Sequence, residues 1–90
     1  MAGRCFVCFL ARREGGSPRL GLAVSRKVGN AVRRNLVKRR VREYFRANRA
    51  GIEPGIDLVF VAKPGAAELE WDALVAELEQ LLQRGGAFRG

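Results

Sequence analysis

Ninety residues, 48% of them hydrophobic, make one small domain and exclude a disordered chain. Seventeen Lys and Arg against nine Asp and Glu leave a net charge of +8, which calls for a polyanionic partner, nucleic acid or an anionic surface. There is no histidine, no apolar run reaches the ~18–20 residues of a membrane span, and Arg12 and Arg13 follow too short an apolar stretch for a secretory signal.

Residues 5–11, Cys-Phe-Val-Cys-Phe-Leu-Ala, read as a strand rich in aromatic and β-branched side chains. Val7, Phe9 and Ala11 share one face, and Phe6, Cys8 and Leu10 share the other. One face is core. An open aromatic face can stack on single-stranded bases, although core is the plainer reading of either face. Two cysteines and no histidine cannot supply the four ligands of a structural zinc site. Cys5 and Cys8, three apart in a strand, point to opposite faces, so they read as ordinary buried thiols of a reducing cytoplasm and not as a redox pair.

Residues 12–18 carry turn chemistry around Gly15-Gly16 and Pro18. Residues 19–25 read as a second strand, antiparallel to the first through that loop and weakened at Gly21. Asn30 is placed to cap a helix running from Ala31 to about Asn48. At about 100° per residue, Val37, Val41, Tyr44 and Phe45 form one apolar stripe. Asn35, Lys38, Arg39, Arg42, Arg46 and Arg49 fill a neighbouring sector, and Arg33 and Arg40 lie on the opposite flank. Arg34 and Lys38 project within about 60° of the stripe's centre, so they either snorkel or line a cleft beside the sheet.

That helix and its approach concentrate the charge. Residues 26–49 hold ten basic side chains against Glu43 alone, a net +9, which leaves −1 for the rest of the chain. A solvated helix face normally mixes signs to gain i,i+4 pairs. A row of cations one helical turn apart instead follows a phosphate backbone, with guanidinium forks gripping phosphate oxygens.

The chain then turns at Pro54-Gly55. Residues 56–62 read as a third strand covered on much of both faces. From Glu70 to Arg84, Leu74, Val75, Leu78, Leu81 and Leu82 form a second helical stripe, with acids on the other side. Gly85-Gly86 stops it, and residues 85–90 are expected to fray. The order is β-β-α-β-α in one domain, residues 1–90, with its core at about 4–84. No paired carboxylates, no base beside Ser17 or Ser25 and no phosphate-cradling glycine loop appear, so no catalytic residue and no metal ligand is expected in this protein.

Residues 21–42, Gly-Leu-Ala-Val-Ser-Arg-Lys-Val-Gly-Asn-Ala-Val-Arg-Arg-Asn-Leu-Val-Lys-Arg-Arg-Val-Arg, closely resemble the signature of bacterial ribonuclease P proteins. Residues 57–64, Asp-Leu-Val-Phe-Val-Ala-Lys-Pro, resemble the same family's third strand and following turn. The resemblance implies a two-layer α+β sandwich, like the second domain of a small-subunit ribosomal protein, with the basic helix as a left-handed β-α-β crossover against the usual rule. It implies a cytoplasmic, monomeric subunit of a ribonucleoprotein endoribonuclease that removes the 5′ leader from precursor tRNA. The partner is ribonuclease P RNA, no membrane is involved, and Mg2+ is held mainly by the RNA and the substrate.

Carried onto this sequence, the RNA-binding residues are Arg26, Lys27, Asn30, Arg33, Arg34, Asn35, Lys38, Arg39, Arg42 and Arg46. Val7, Phe9, Arg34 and Lys38 match positions of the leader cleft. There are two departures. Leu36 stands where the helix motif has its second Arg, with Arg33 and Arg40 adding compensating charge nearby. Family members also open with a basic segment and an aromatic-bearing helix that closes the cleft. This chain starts at Met1 almost directly before the first strand, so that helix is expected to be absent.

Three other readings stand beside this one. A stand-alone RNA-binding or ribosomal-type protein has no need of the Ser-Arg-Lys-Val-Gly-Asn loop. A groove-reading DNA-binding domain normally shows helix-turn-helix spacing, whereas here strands flank the basic helix. A membrane-surface helix needs an apolar face that this helix uses for the core.

Overall fold

The computed structural model describes residues 1–89. Three strands and two long helices follow the expected β-β-α-β-α order: β1 (Phe6–Arg12), β2 (Arg19–Val24), α1 (Ala31–Asn48), β3 (Ile56–Ala62) and α2 (Trp71–Arg84). Single 3-10 turns at Arg26–Val28, Arg49–Gly51 and Ala66–Glu68 mark the joints.

The sheet order is β1-β3-β2. β1 pairs antiparallel with β3, Phe6 opposite Ala62 and Arg12 opposite Ile56. β2 pairs parallel with β3, Arg19 opposite Asp57 and Val24 opposite Ala62. The first two strands therefore run in opposite directions, as expected, but they are not a hairpin: β3 is inserted between them. The 13–18 loop is too wide for a tight turn and instead straddles the start of β3. Arg13 N–H donates to Gly55 O at 2.8 Å, and Gly55 N–H donates to Gly16 O at 2.7 Å. Gly55 is buried with φ +80°, and a Cβ there would lie 2.6 Å from Arg13 O.

Both helices lie on one face of the sheet, α1 against β2 and α2 against β1. One core joins Phe6 and Cys8 of β1, Leu58 and Phe60 of β3, Val37, Val41 and Tyr44 of α1, and Leu74, Leu78, Leu81 and Leu82 of α2. Phe6 and Phe60 meet edge to face, ring centroids 6.3 Å apart. The opposite face is open. Ile56, Leu58, Phe60 and Ala62 are buried, while Val59 between them is 39% exposed. The expectation that this strand is covered on both faces is thus corrected. A two-layer fold has helices for one face only.

Two further expectations change. The strand begins at Phe6, not Cys5, so Cys5 is not bound by the strand's alternation and both thiols are buried. Burial raises the pKa of each, keeping them protonated. The segment after α2 does not fray through residue 89. Glu53 N–H donates to Ala87 O at 2.8 Å, Arg89 N–H donates to Gly51 O at 2.7 Å, and Ile52 bridges Phe88. Burial of Ala87 and partial burial of Phe88 hold this segment against the core. Gly90 lies outside the described residues.

Among the described residues, Tyr44 carries the one buried side-chain polar atom without a hydrogen-bond partner, its hydroxyl. Burial, with Glu79 nearby, drives its pKa upward. Desolvating an unpartnered hydroxyl costs about 1–3 kcal/mol. Tyr44→Phe is therefore expected to stabilise the fold by about 1 kcal/mol, read as a higher urea midpoint at unchanged slope.

Candidate nucleic-acid interface

The turn before α1 fixes the phase of the basic helix. Ser25 Oγ accepts from Lys27 N–H at 3.3 Å, and Gly29 N–H closes on Arg26 O at 3.2 Å. Gly29 has φ +152°, and a Cβ there would lie 2.8 Å from Arg33 Cδ. Asn30 Oδ1 then caps the helix by accepting from Arg33 N–H at 3.0 Å, as the sequence predicts. Asn30 is thus a structural cap first, and its oxygen is occupied. Arg26 and Lys27 are exposed on the single turn just before it.

Along α1 the basic residues separate into groups. Asn35, Lys38, Arg39 and Arg42, with Val32 and Leu36, line an open groove of about 530 Å3. This brings together four of the predicted contacts. Val32 is 77% exposed, so with Leu36 it forms an apolar lip where the motif has charge. Arg33 and Arg40 do not line this groove. Arg33 Nη1 pairs with Glu68 Oε1 at 2.7 Å, and Arg40 Nη1 donates to Leu69 O at 2.7 Å. Both point to the turn after β3, on the far flank. Arg39 and Glu43 approach only to 3.9 Å and are exposed, an ion pair of little strength.

Arg33 and Arg40 mark the flank next to the 66–69 turn, and Arg34 and Lys38 lie on the other flank. Arg34 and Lys38 are both half-buried. Arg34 Nη1 donates to Gly29 O at 3.1 Å. Val7 and Phe9 lie on the outer sheet face, Phe9 58% exposed. They sit on β1, on the face of the sheet opposite the one against which α1 packs. The four cleft residues are therefore not one pocket. Val7 and Phe9 belong to a strip of open sheet two strand spacings, about 10 Å, across, and Arg34 and Lys38 to the helix packed on the sheet's other face. In register, Phe9–Val59–Gly21 and Val7–Val61–Ala23 floor the strip. Gly21 keeps the floor low: a Cβ there would meet Val59 Cγ2 at 3.3 Å.

One end of this strip is closed by a cluster that composition and spacing did not indicate. Asp57 accepts from Arg19 Nε and Nη2, both at 2.8 Å, and from Arg13 Nε at 3.1 Å. The Arg19 bonds, with Arg13 beside them, hold its carboxyl down at about 2, so the clamp stays charged at any ordinary pH. Glu77, read as a solvent-facing acid of α2, instead accepts from Cys5 N–H at 2.8 Å and ties that helix to the start of β1. Neither contact has a local signature, because the partners are 38, 44 and 72 residues apart. Among the described residues no three His, Cys, Asp or Glu side chains are grouped to hold a metal ion, and no helix is long and apolar enough to cross a membrane.

A family model described as Ribonuclease P matches residues 1–86. The ribonuclease P protein component of Desulfatibacillum aliphaticivorans is 40% identical over 79 residues, covering 88% of this chain and 67% of that protein. The one from Brevibacillus brevis is 39% identical over 89 residues, covering 98% and 71%. The solved structure of Staphylococcus aureus RNase P protein superposes with a TM-score of 0.88 at 32% identity, covering 99% of this chain and 82% of that one. The chain thus spans between about two thirds and four fifths of the length of these relatives.

Proposed function

Because the chain belongs to the ribonuclease P protein family, we propose that it acts as the protein subunit of that enzyme, binding the catalytic RNA through α1 and the 5′ leader of precursor tRNA across the open sheet face. The observation that carries this reading is an exposed cationic groove, Lys38, Arg39 and Arg42 with Asn35, on the same small fold as an open apolar sheet strip that carries Phe9 and Val59. The groove matches a phosphate backbone. The strip, with Phe9 at its far side, matches the faces of unpaired bases.

In this reading the protein positions and the RNA cuts. Arg39 and Arg42 hold the RNA subunit, Arg26 and Lys27 extend that contact around the helix start, Arg34 and Lys38 neutralise phosphates on the helix side, and leader bases lie on Val59 and Phe9. Arg33 contributes long-range charge only, since Glu68 occupies it. Mg2+ belongs, in this reading, to the RNA and the substrate phosphates, and no step is routed through a protein-held ion. One copy of the chain per RNA, in the cytoplasm, suffices.

The test is precursor tRNA cleavage by a bacterial ribonuclease P RNA at low Mg2+, with and without the protein. At least a 10-fold rise in correct 5′ cleavage is expected, corresponding to about 1.4 kcal/mol of added binding or positioning. No rise, together with no binding to the RNA subunit, would overturn the assignment.

A further inference from the structure

The segment after α2 returns to the far end of α1. Its backbone pairing with residues 51–53 holds Arg89 beside Arg46, near the end of α1, and Arg49, in the turn that follows. Together the three arginines line a concavity of about 600 Å3, with Pro18 and Pro54 among its other walls. All three are exposed, and among the described residues none is paired with a carboxylate.

Cations near a helix C-terminus are favoured by its dipole, and that alone accounts for Arg46 and Arg49. It does not account for Arg89, which the chain delivers from 40 residues away. Three guanidiniums converging on one hollow repel one another, and a phosphate chain between them relieves that repulsion.

We propose that this concavity is a second RNA-backbone site, separate from the groove at residues 32–42, gripping phosphates of the RNA subunit with Arg46, Arg49 and Arg89. The inference rests on the subunit reading above. α1 is about 27 Å long, so groove and concavity are two stations along one helix, joined by the i,i+4 step from Arg42 to Arg46. The prolines offer flat apolar walls for ribose. A membrane surface fits less well, because none of the exposed large apolar side chains, Phe9, Val32, Val59 and Trp71, borders the hollow.

The test is binding of the full chain to a bacterial ribonuclease P RNA across a range of salt. With Arg49→Ala and Arg89→Ala combined, affinity is expected to fall about 10-fold at physiological salt, and the slope of log K against log salt to flatten by about 1.4–1.8, the share of two phosphates. Arg49→Lys with Arg89→Lys should keep most of that slope, because the charge remains. Arg39→Ala with Arg42→Ala separates the two ideas. If that pair loses RNA binding while Arg49→Ala with Arg89→Ala changes neither affinity nor slope, the second site is wrong and the subunit reading stands. If the unmodified chain fails to bind the RNA, both fall. Equal losses in the alanine and lysine pairs, with a lowered melting midpoint, would mean a structural role and overturn the site. So would loss of binding to phosphatidylglycerol vesicles with RNA affinity unchanged, which would assign the hollow to a membrane.

Discussion

Replacing Arg39 and Arg42 together with alanine is expected to weaken binding to ribonuclease P RNA by about 100-fold, since a hydrogen bond to a charged group contributes about 1.5–3 kcal/mol. Both side chains line the groove on α1, both are exposed, and neither carries structural hydrogen bonds. Their loss should therefore leave the melting temperature nearly unchanged. The salt dependence should flatten by about 1.4–1.8 in slope, depending on whether the contacted RNA is single-stranded or helical. Filter binding at four or five salt concentrations measures both quantities. Weaker binding at unchanged slope would mean that the two arginines read something other than phosphate. Arg40→Ala is the useful contrast. Its guanidinium is tied to Leu69 O, so its removal should cost stability before it costs RNA affinity.

Gly55→Ala is expected to remove about 3 kcal/mol of stability. The residue sits at φ +80°, where a Cβ costs about 1–2 kcal/mol. The added methyl would also lie 2.6 Å from Arg13 O and 2.9 Å from Gly15 N, and forced overpacking adds about 1–3 kcal/mol. These atoms belong to the loop that wraps the entry to β3, so relief requires moving the loop and breaking its hydrogen bonds to Gly55. In a domain of this size the melting midpoint should drop by on the order of 15 °C. Gly51→Ala is the control. A methyl added there would have no atom within 4 Å, and the φ is ordinary, so the change should be neutral or stabilising by about 0.4–1 kcal/mol. Equal effects at the two positions would disprove the steric account.

What the sequence reveals follows from the range over which each signal acts. Asn30 as a cap, the stripe Val37–Val41–Tyr44, the leucine stripe of α2 and the stop at Gly85 are all written within a few residues, and all appear in the structure. The strand order is not local. β1 and β2 have a turn between them that resembles a hairpin link, and only the greater burial demand of β3 places it in the middle. The same limit hid Asp57 between Arg13 and Arg19, Glu77 under Cys5, and Arg89 beside Arg46. The two flanks of α1 were visible in the helical angles, but not what each flank meets. Arg33 and Arg40 looked like spare charge because Glu68 and Leu69 lie a strand and a turn further on. Val7 and Phe9 on a strand face and Arg34 and Lys38 on a helix flank were legible as two groups. That the two groups belong to opposite faces of the sheet was not, because it depends on which face the helices cover.

The central place of β3 also sets the order of events during synthesis. It is the last of the three strands to be made, and within the sheet the other two hydrogen-bond only to it. Until Ala62 has emerged, β1 and β2 carry unpaired edges, and the +9 segment of residues 26–49 trails from them. No half-sheet exists to form early. Strand pairing therefore waits for β3 and rests on contacts distant in sequence, which makes folding slow for the chain's length. A nascent chain of this kind carries its cationic segment exposed before it has a core.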